Sequence, residues 1–210
     1  MPTLSDYIFI AAIWTFWGSL HSFMISAAAT NFLKQRAGEF YKYYRIFFNA
    51  VALLTLAGAD LYSSSFTGRE IFVWEKPYTL LRSILFILAL ILFYLGGRQF
   101  DMKQFLGIRQ ILTGANHAVL TESGQLNTGG ILHMTRHPWY LGAIILIWSF
   151  HKQIDTVILM INSILTVYVV IGTILEEKKL IAEFGDEYRG YQQSVSMLFP
   201  WKYVRQKFRQ

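Results

Sequence analysis

Four ionisable residues stand at the two ends of a pair of apolar stretches: Arg136 and His137 before the first, Glu176 and Glu177 after the second. They lie within NTGGILHMTRHPWYLG and EEKKLIAEFGDEYRGYQ, and the second of these leads to LFPW at residues 198–201. An arginine and a histidine at a helix amino terminus favour an anion, because backbone amides and the helix dipole add to the side-chain charge. Paired glutamates opposite them accept hydrogen bonds from hydroxyl or ammonium groups. Together the four suit a ligand that carries a carboxylate, an ammonium, a ribose and a flat base.

For the four to meet, the apolar stretches must fold into an antiparallel hairpin. His137 and Glu176 are 39 residues apart, and with roughly 18 residues per limb and the turn HKQID between them they return to one membrane level. The first limb is expected to start at Pro138, where a missing amide proton costs nothing, and to run to about Phe150. The second is a charge-free run over residues 156–175.

Composition places this hairpin in a bilayer. Of 210 residues 54% are hydrophobic and only 15% charged, against about 25% charged in soluble domains. Residues 7–33 carry no Asp, Glu, Lys or Arg, which exceeds the roughly 20 residues that span a hydrocarbon core. That run is too long for a signal h-region and is expected to stay in the mature protein. Further spans are expected at residues 44–63 and 80–100, with Arg82 snorkelling at the start of the latter. The fold class is therefore an all-α integral membrane protein of about five transmembrane helices, with a carboxy-terminal helical hairpin and a cytosolic cofactor cleft. Residues 1–210 read as a single transmembrane domain, with 1–100 a three-helix frame and acceptor chamber and 101–210 the connecting loop, hairpin and tail. The long polar segment 101–135 is expected to fold in part over the pocket.

Basic residues give the orientation. With the amino terminus outside, the inner segments hold 15 Lys and Arg and the outer ones only Arg69, Lys76, Arg82 and Lys152, so the amino terminus is read as outside and the carboxy terminus as cytosolic. The net charge of +6 is thus assigned to topology and anionic lipid rather than to nucleic acid. The tail WKYVRQKFRQ is expected at the inner membrane surface. Absence of cysteine excludes disulfides, thiolate metal sites and a cysteine nucleophile. The histidines show no i, i+4 pair and no acidic partner at ligand spacing, so no metal site is expected. His21, inside the first span with Trp17, reads first as a packing contact and second as a substrate-facing group.

The joint pattern RHPWYLG, EEKKLIAEFGDEYRGYQ and FP resembles the carboxy-terminal signature of the isoprenylcysteine carboxyl methyltransferase superfamily, integral membrane enzymes that use S-adenosylmethionine. FLGIRQ at residues 105–110 and the His-Ser pair of the first span lean toward its small bacterial branch, which includes methanethiol S-methyltransferases. The resemblance covers residues 127–201 and implies that His137 and Arg136 contact the cofactor, that Tyr140 lines the same cleft, that Glu176 and Glu177 close it, and that Thr128 and Gly130 lie in the approaching loop. Two positions depart from the pattern: Leu132, where an aromatic is usual, and Val195-Ser196, where Val-Pro is usual. The implied function is methyl transfer to a carboxylate or thiol of a lipophilic or small acceptor, with Arg136 as the catalytic candidate that orients an anionic acceptor. A prenylated cysteine, a small thiol and a lipid headgroup remain open as acceptors. The competing readings are an NADPH-dependent membrane reductase of the sterol-reductase type and a non-catalytic membrane scaffold.

Overall fold

The computed structural model describes residues 1–113 and 126–208. His117, Gly124 and the middle of the polar segment expected to cover the pocket lie outside the described residues. What is described falls into two compact units, one of residues 1–73, 102–113 and 152–165, the other of residues 74–101, 126–151 and 166–208.

In the first unit α1 (Leu4–Met24) opens with a capping box, the Thr3 side chain accepting from the Asp6 amide while the Asp6 carboxylate accepts from the Thr3 amide. The charge-free run of residues 7–33 does not continue as one helix. Ser26 accepts a hydrogen bond from the Ala29 amide at 3.2 Å and starts α2 (Ala27–Ala37), a local side-chain contact that competes with the first helix's own ladder. A short 3-10 turn leads to α3 (Tyr44–Ser64). Ile10, Trp14, Ala59 and Val157 form the core of this unit, and the Trp14 indole donates to Ser63 Oγ at 2.9 Å. His21 packs between Trp17 and Phe48, with ring centroids 5.6 and 5.0 Å away. The FLGIRQ segment forms α5 (Met102–Leu106) and α6 (Ile108–Thr113). Gly107 turns between them at φ +89°, where a Cβ would lie 2.9 Å from Ile46.

HKQID, read as a turn, instead holds a strand that pairs with residues 70–73. β1 (Glu70–Val73) and β2 (Gln153–Asp155) form a two-stranded antiparallel sheet. Asp155 Oδ1 accepts from the Val157 and Ile158 amides at 2.8 and 2.9 Å, and Oδ2 accepts from the Gly68 amide at 3.0 Å. One buried carboxylate thus caps α8 (Thr156–Ser194) and fixes the strand loop to it.

In the second unit α4 (Tyr78–Gly97) packs on α7 (Pro138–Phe150). Small residues permit the close approach. A Cβ on Gly96 would stand 2.5 Å from Trp139, and one on Gly142 would stand 3.3 Å from the Ala89 carbonyl and Leu92. Arg82 Nε and Nη2 donate to the Ser149 and Phe150 carbonyls at 2.9 and 2.7 Å, satisfying the last turn of α7.

Four helical segments among the described residues are long and apolar enough to cross a membrane: Leu4–Met24, Ala27–Ser64, Tyr78–Gly97 and Thr156–Ser194. α7 starts and ends where expected, but at 13 residues it is about 20 Å long, short of a full span. Large side chains such as Phe9, Phe16, Leu54, Leu61 and Leu80 point outward with 60% or more of their surface exposed, as a lipid-facing surface requires. The chain is a multi-pass, all-α membrane protein with, among the described residues, one small sheet.

α8 has 39 residues, about 58 Å if straight, nearly twice the hydrocarbon thickness. Its charge-free residues 156–175 suffice for the crossing, which leaves Glu176 and everything after it outside the hydrocarbon. The helix also does not stay straight. Gly185, at φ 56° and ψ −126°, interrupts it in a region that only glycine occupies readily. Residues 186–194 therefore form a second limb.

Candidate functional site

Pro138 begins α7, and the two residues before it are tied to the segment that follows α8. The Arg136 amide donates to the Ser196 carbonyl at 3.0 Å and the His137 amide to the Met197 carbonyl at 3.2 Å. Thr135 and Ser196 form a parallel bridge, and Thr135 Oγ1 donates to the Met197 carbonyl at 3.1 Å. These two amides, which the sequence offered as part of an anion site, are thereby engaged within the protein.

Glu177 is the centre of the arrangement. Its Oε1 accepts from Arg136 Nε at 2.7 Å, from His137 Nε2 at 2.9 Å and from the Tyr188 hydroxyl at 2.9 Å. Its Oε2 accepts from Arg136 Nη2 at 2.8 Å and Gln192 Nε2 at 2.5 Å. Arg136 Nη1 donates to the Val195 carbonyl and, at 3.3 Å, to the Gln192 carbonyl, so the guanidinium also serves the end of the second limb. The ion pair is buried, with 7% of the Arg136 side chain and 10% of the Glu177 side chain exposed. Burial opposes ionisation of Glu177, but the hydrogen bonds from His137, Arg136, Gln192 and Tyr188 outweigh it and hold the carboxyl well below the usual carboxylate range. Burial, followed by the bond to that carboxylate, pushes the Tyr188 hydroxyl above its ordinary value.

An ionised Glu177 accepting from Nε2 places a hydrogen on that nitrogen and turns Nδ1 toward Glu176. Nδ1 lies 3.7 Å from Glu176 Oε2, too far for a hydrogen bond. Glu176 Oε2 is buried and has no hydrogen-bond partner. Tyr140 lies against Glu176, and its ring stacks on His137 at 5.5 Å between centroids. A buried carboxylate oxygen without a donor is suited to a ligand's hydroxyl or ammonium hydrogens.

The hairpin thus brings Arg136, His137, Tyr140, Glu176 and Glu177 together. Thr128 and Gly130 stand apart. The Thr128 carbonyl lies 3.3 Å from His133 Nδ1, and Gly130, at φ +57°, packs where a Cβ would lie 2.5 Å from Gln99 Nε2. Among the described residues neither hydrogen-bonds to the glutamate cluster. Arg136, expected to orient an acceptor, is occupied by Glu177 and two carbonyls. Leu132, one of the two departures from the family pattern, sits in the core with Leu180, Tyr188, Tyr191 and Val195, and its carbonyl accepts from the Tyr191 hydroxyl at 2.5 Å.

The reading of the sequence missed Tyr188, Tyr191 and Gln192. On an uninterrupted helix Tyr188 would lie about 16 Å along the axis from Glu177, beyond contact. The signal available was the phenylalanine-glycine-aspartate run at 184–186, a glycine stop followed by an acidic first turn.

The chain matches the family model described as NnrU protein over residues 8–198. It is 38% identical over 101 residues to methanethiol S-methyltransferase 1 of Bradyrhizobium diazoefficiens, a match covering 47% of this chain and 34% of that protein. To methanethiol S-methyltransferase of Pseudomonas deceptionensis it is 33% identical over 117 residues, covering 52% and 44%. To the protein of the same name from Mycobacterium tuberculosis it is 31% identical over 98 residues, covering 47% and 39%. The chain therefore spans less than half the length of these curated relatives, whose name is the one the bacterial-branch resemblance pointed to. No solved structure matches it. With 191 of 210 residues inside the match, the chain belongs to the NnrU protein family.

Proposed function

We propose that the chain is an integral membrane methyltransferase that uses S-adenosylmethionine to methylate a small thiol. The observation that carries this reading is the buried, unpartnered Glu176 Oε2 beside His137 Nδ1, at the position where the family resemblance expects the cofactor. The residues fit: the free carboxylate oxygen of Glu176 suits the ammonium or ribose hydroxyls of S-adenosylmethionine, and the Tyr140 ring provides an apolar wall. When bound, that cofactor supplies a methyl group on a sulfonium. The relatives named methanethiol S-methyltransferase favour a small thiol over a carboxylate or a lipid headgroup as acceptor.

In this reading Glu176 holds the ligand's donor hydrogens beside His137, and Tyr140 excludes water there. Glu177 and Arg136 fix His137 in one orientation. Arg136 acts as a positioning residue because its guanidinium is already occupied. Thr128 and Gly130 belong to the approaching loop, and residues 1–100 supply the frame and acceptor chamber. Rate enhancement comes from positioning and water exclusion, with no protein nucleophile. The amino terminus is placed outside and the glutamate cluster at the cytosolic face, within reach of a soluble cofactor.

Calorimetric titration of the purified protein with S-adenosylmethionine and with NADPH, combined with headspace detection of methylated methanethiol, tests the reading. Saturable binding of the former, methyl transfer, and loss of binding in His137→Ala and Glu176→Ala with the fold intact are expected. Binding of NADPH alone, or of neither, overturns it.

A further inference from the structure

After the second limb the chain returns to the level at which α7 begins, because Ser196 and Met197 bond to the Arg136 and His137 amides. The segment that follows, Phe199 onward with α9 (Trp201–Lys207), therefore starts at a membrane boundary. On a helical wheel Trp201, Val204 and Phe208 share an arc of about 60°. All three are exposed, Trp201 by 71% and Phe208 by 87%, and Phe199 beside them by 62%. The opposite side is held to the protein. Lys202 Nζ donates to the Gln192 and Gln193 carbonyls at 2.7 and 3.0 Å, the Lys202 amide donates to Ser196 Oγ at 3.0 Å, and Gln206 Nε2 donates to the Ser194 carbonyl at 3.4 Å. Arg205 and Lys207 flank the apolar arc.

We infer that residues 199–208 are an interfacial anchor whose Trp201, Val204 and Phe208 face enters the headgroup boundary of an anionic bilayer, with Arg205 and Lys207 on the lipid phosphates. A tryptophan and a phenylalanine flanked by long basic side chains match that boundary in polarity and charge. Since Lys202 and Gln206 grip the last carbonyls of residues 186–194, the limb that supplies Tyr188 and Gln192 to Glu177, the anchor braces that limb against the membrane. The surface is independent of what the glutamate cluster binds.

The full-length protein carrying Phe208→Cys, the sole cysteine and hence a unique spin-label site, is placed in nanodiscs of phosphatidylcholine alone or mixed with phosphatidylglycerol. The label is expected at acyl-boundary depth, favouring collision with oxygen over a water-soluble nickel complex, and deeper in the anionic discs. In those discs trypsin is expected to cut at Arg205 and Lys207 at least several-fold more slowly than in neutral ones, and Arg205→Glu with Lys207→Glu is expected to abolish the difference in label depth between the two kinds of disc. A label exposed to the nickel complex in both discs overturns the inference. So does a label shielded from both probes, which would mean that a second copy of the protein covers the face.

Discussion

Glu176 and Glu177 are adjacent in sequence and opposite in circumstance, and replacing each by glutamine tests the site directly. At 177 the substitution removes the carboxylate that, among the described residues, pairs with a guanidinium that is 7% exposed. It also turns one acceptor into an amide that faces the donors of Arg136 Nη2 or Gln192 Nε2. Leaving a buried charge without its partner costs about 3–5 kcal/mol. At about 2–4 °C per kcal/mol for a chain of this size, the melting temperature of Glu177→Gln should fall by about 6–20 °C. At 176 the oxygen lost has no partner, so Glu176→Gln should melt within about 2 °C of the parent while its affinity for S-adenosylmethionine falls at least tenfold. Tryptophan fluorescence melting in detergent and calorimetric titration read the two effects separately. Equal melting losses in both variants, or a Glu177→Gln protein as stable as the parent, would refute the assignment of a structural and a ligand-facing glutamate.

Removing the hydroxyl in Tyr188→Phe takes one hydrogen bond from a charged acceptor and should cost about 1.5–3 kcal/mol in chemical or thermal unfolding. Gly185→Ala places no atom within 4 Å of a neighbour, so a loss of about 1–3 kcal/mol in the same assay would be backbone strain alone. Gly96→Val should separate α4 from α7 at Trp139, seen as a red shift of tryptophan emission and reduced stability. Because the Glu177 carboxyl is held below its ordinary 4.5, its contribution is complete above that pH and drains away as the pH falls toward the lowered value. The parent should therefore lose melting temperature below about pH 4.5 more steeply than Glu177→Gln does.

The hairpin was legible because two charge-free runs of known length and one tight turn leave little freedom in where His137 and Glu176 meet. The bounds of α7 were legible from Pro138 at its start. Which charges are available to a ligand was not legible, because that depends on a limb whose direction is set by one positive-φ glycine. Arg136 looked like an anion receptor until the carbonyls of Gln192 and Val195 and the carboxylate of Glu177 were placed around it. The β1 and β2 strands were hidden for another reason: three or four residues carry no readable alternation, and their pairing is fixed by Asp155 gripping the Gly68 amide from 87 positions away. Ser26 carried a readable cap signal, but the absence of charge around it masked the break.

The return of residues 186–197 upon residues 135–137 also sets an order of assembly. When α7 and the first limb of α8 have emerged from the ribosome, Arg136 and Glu177 can already pair, but the acceptors for Arg136 Nη1 and the donors from Tyr188 and Gln192 have yet to be synthesised. That interval leaves Glu177 with two of its four partner residues missing. A ribosome stalled between residues 177 and 188 would thus present a hairpin whose polar centre lacks half of its partners.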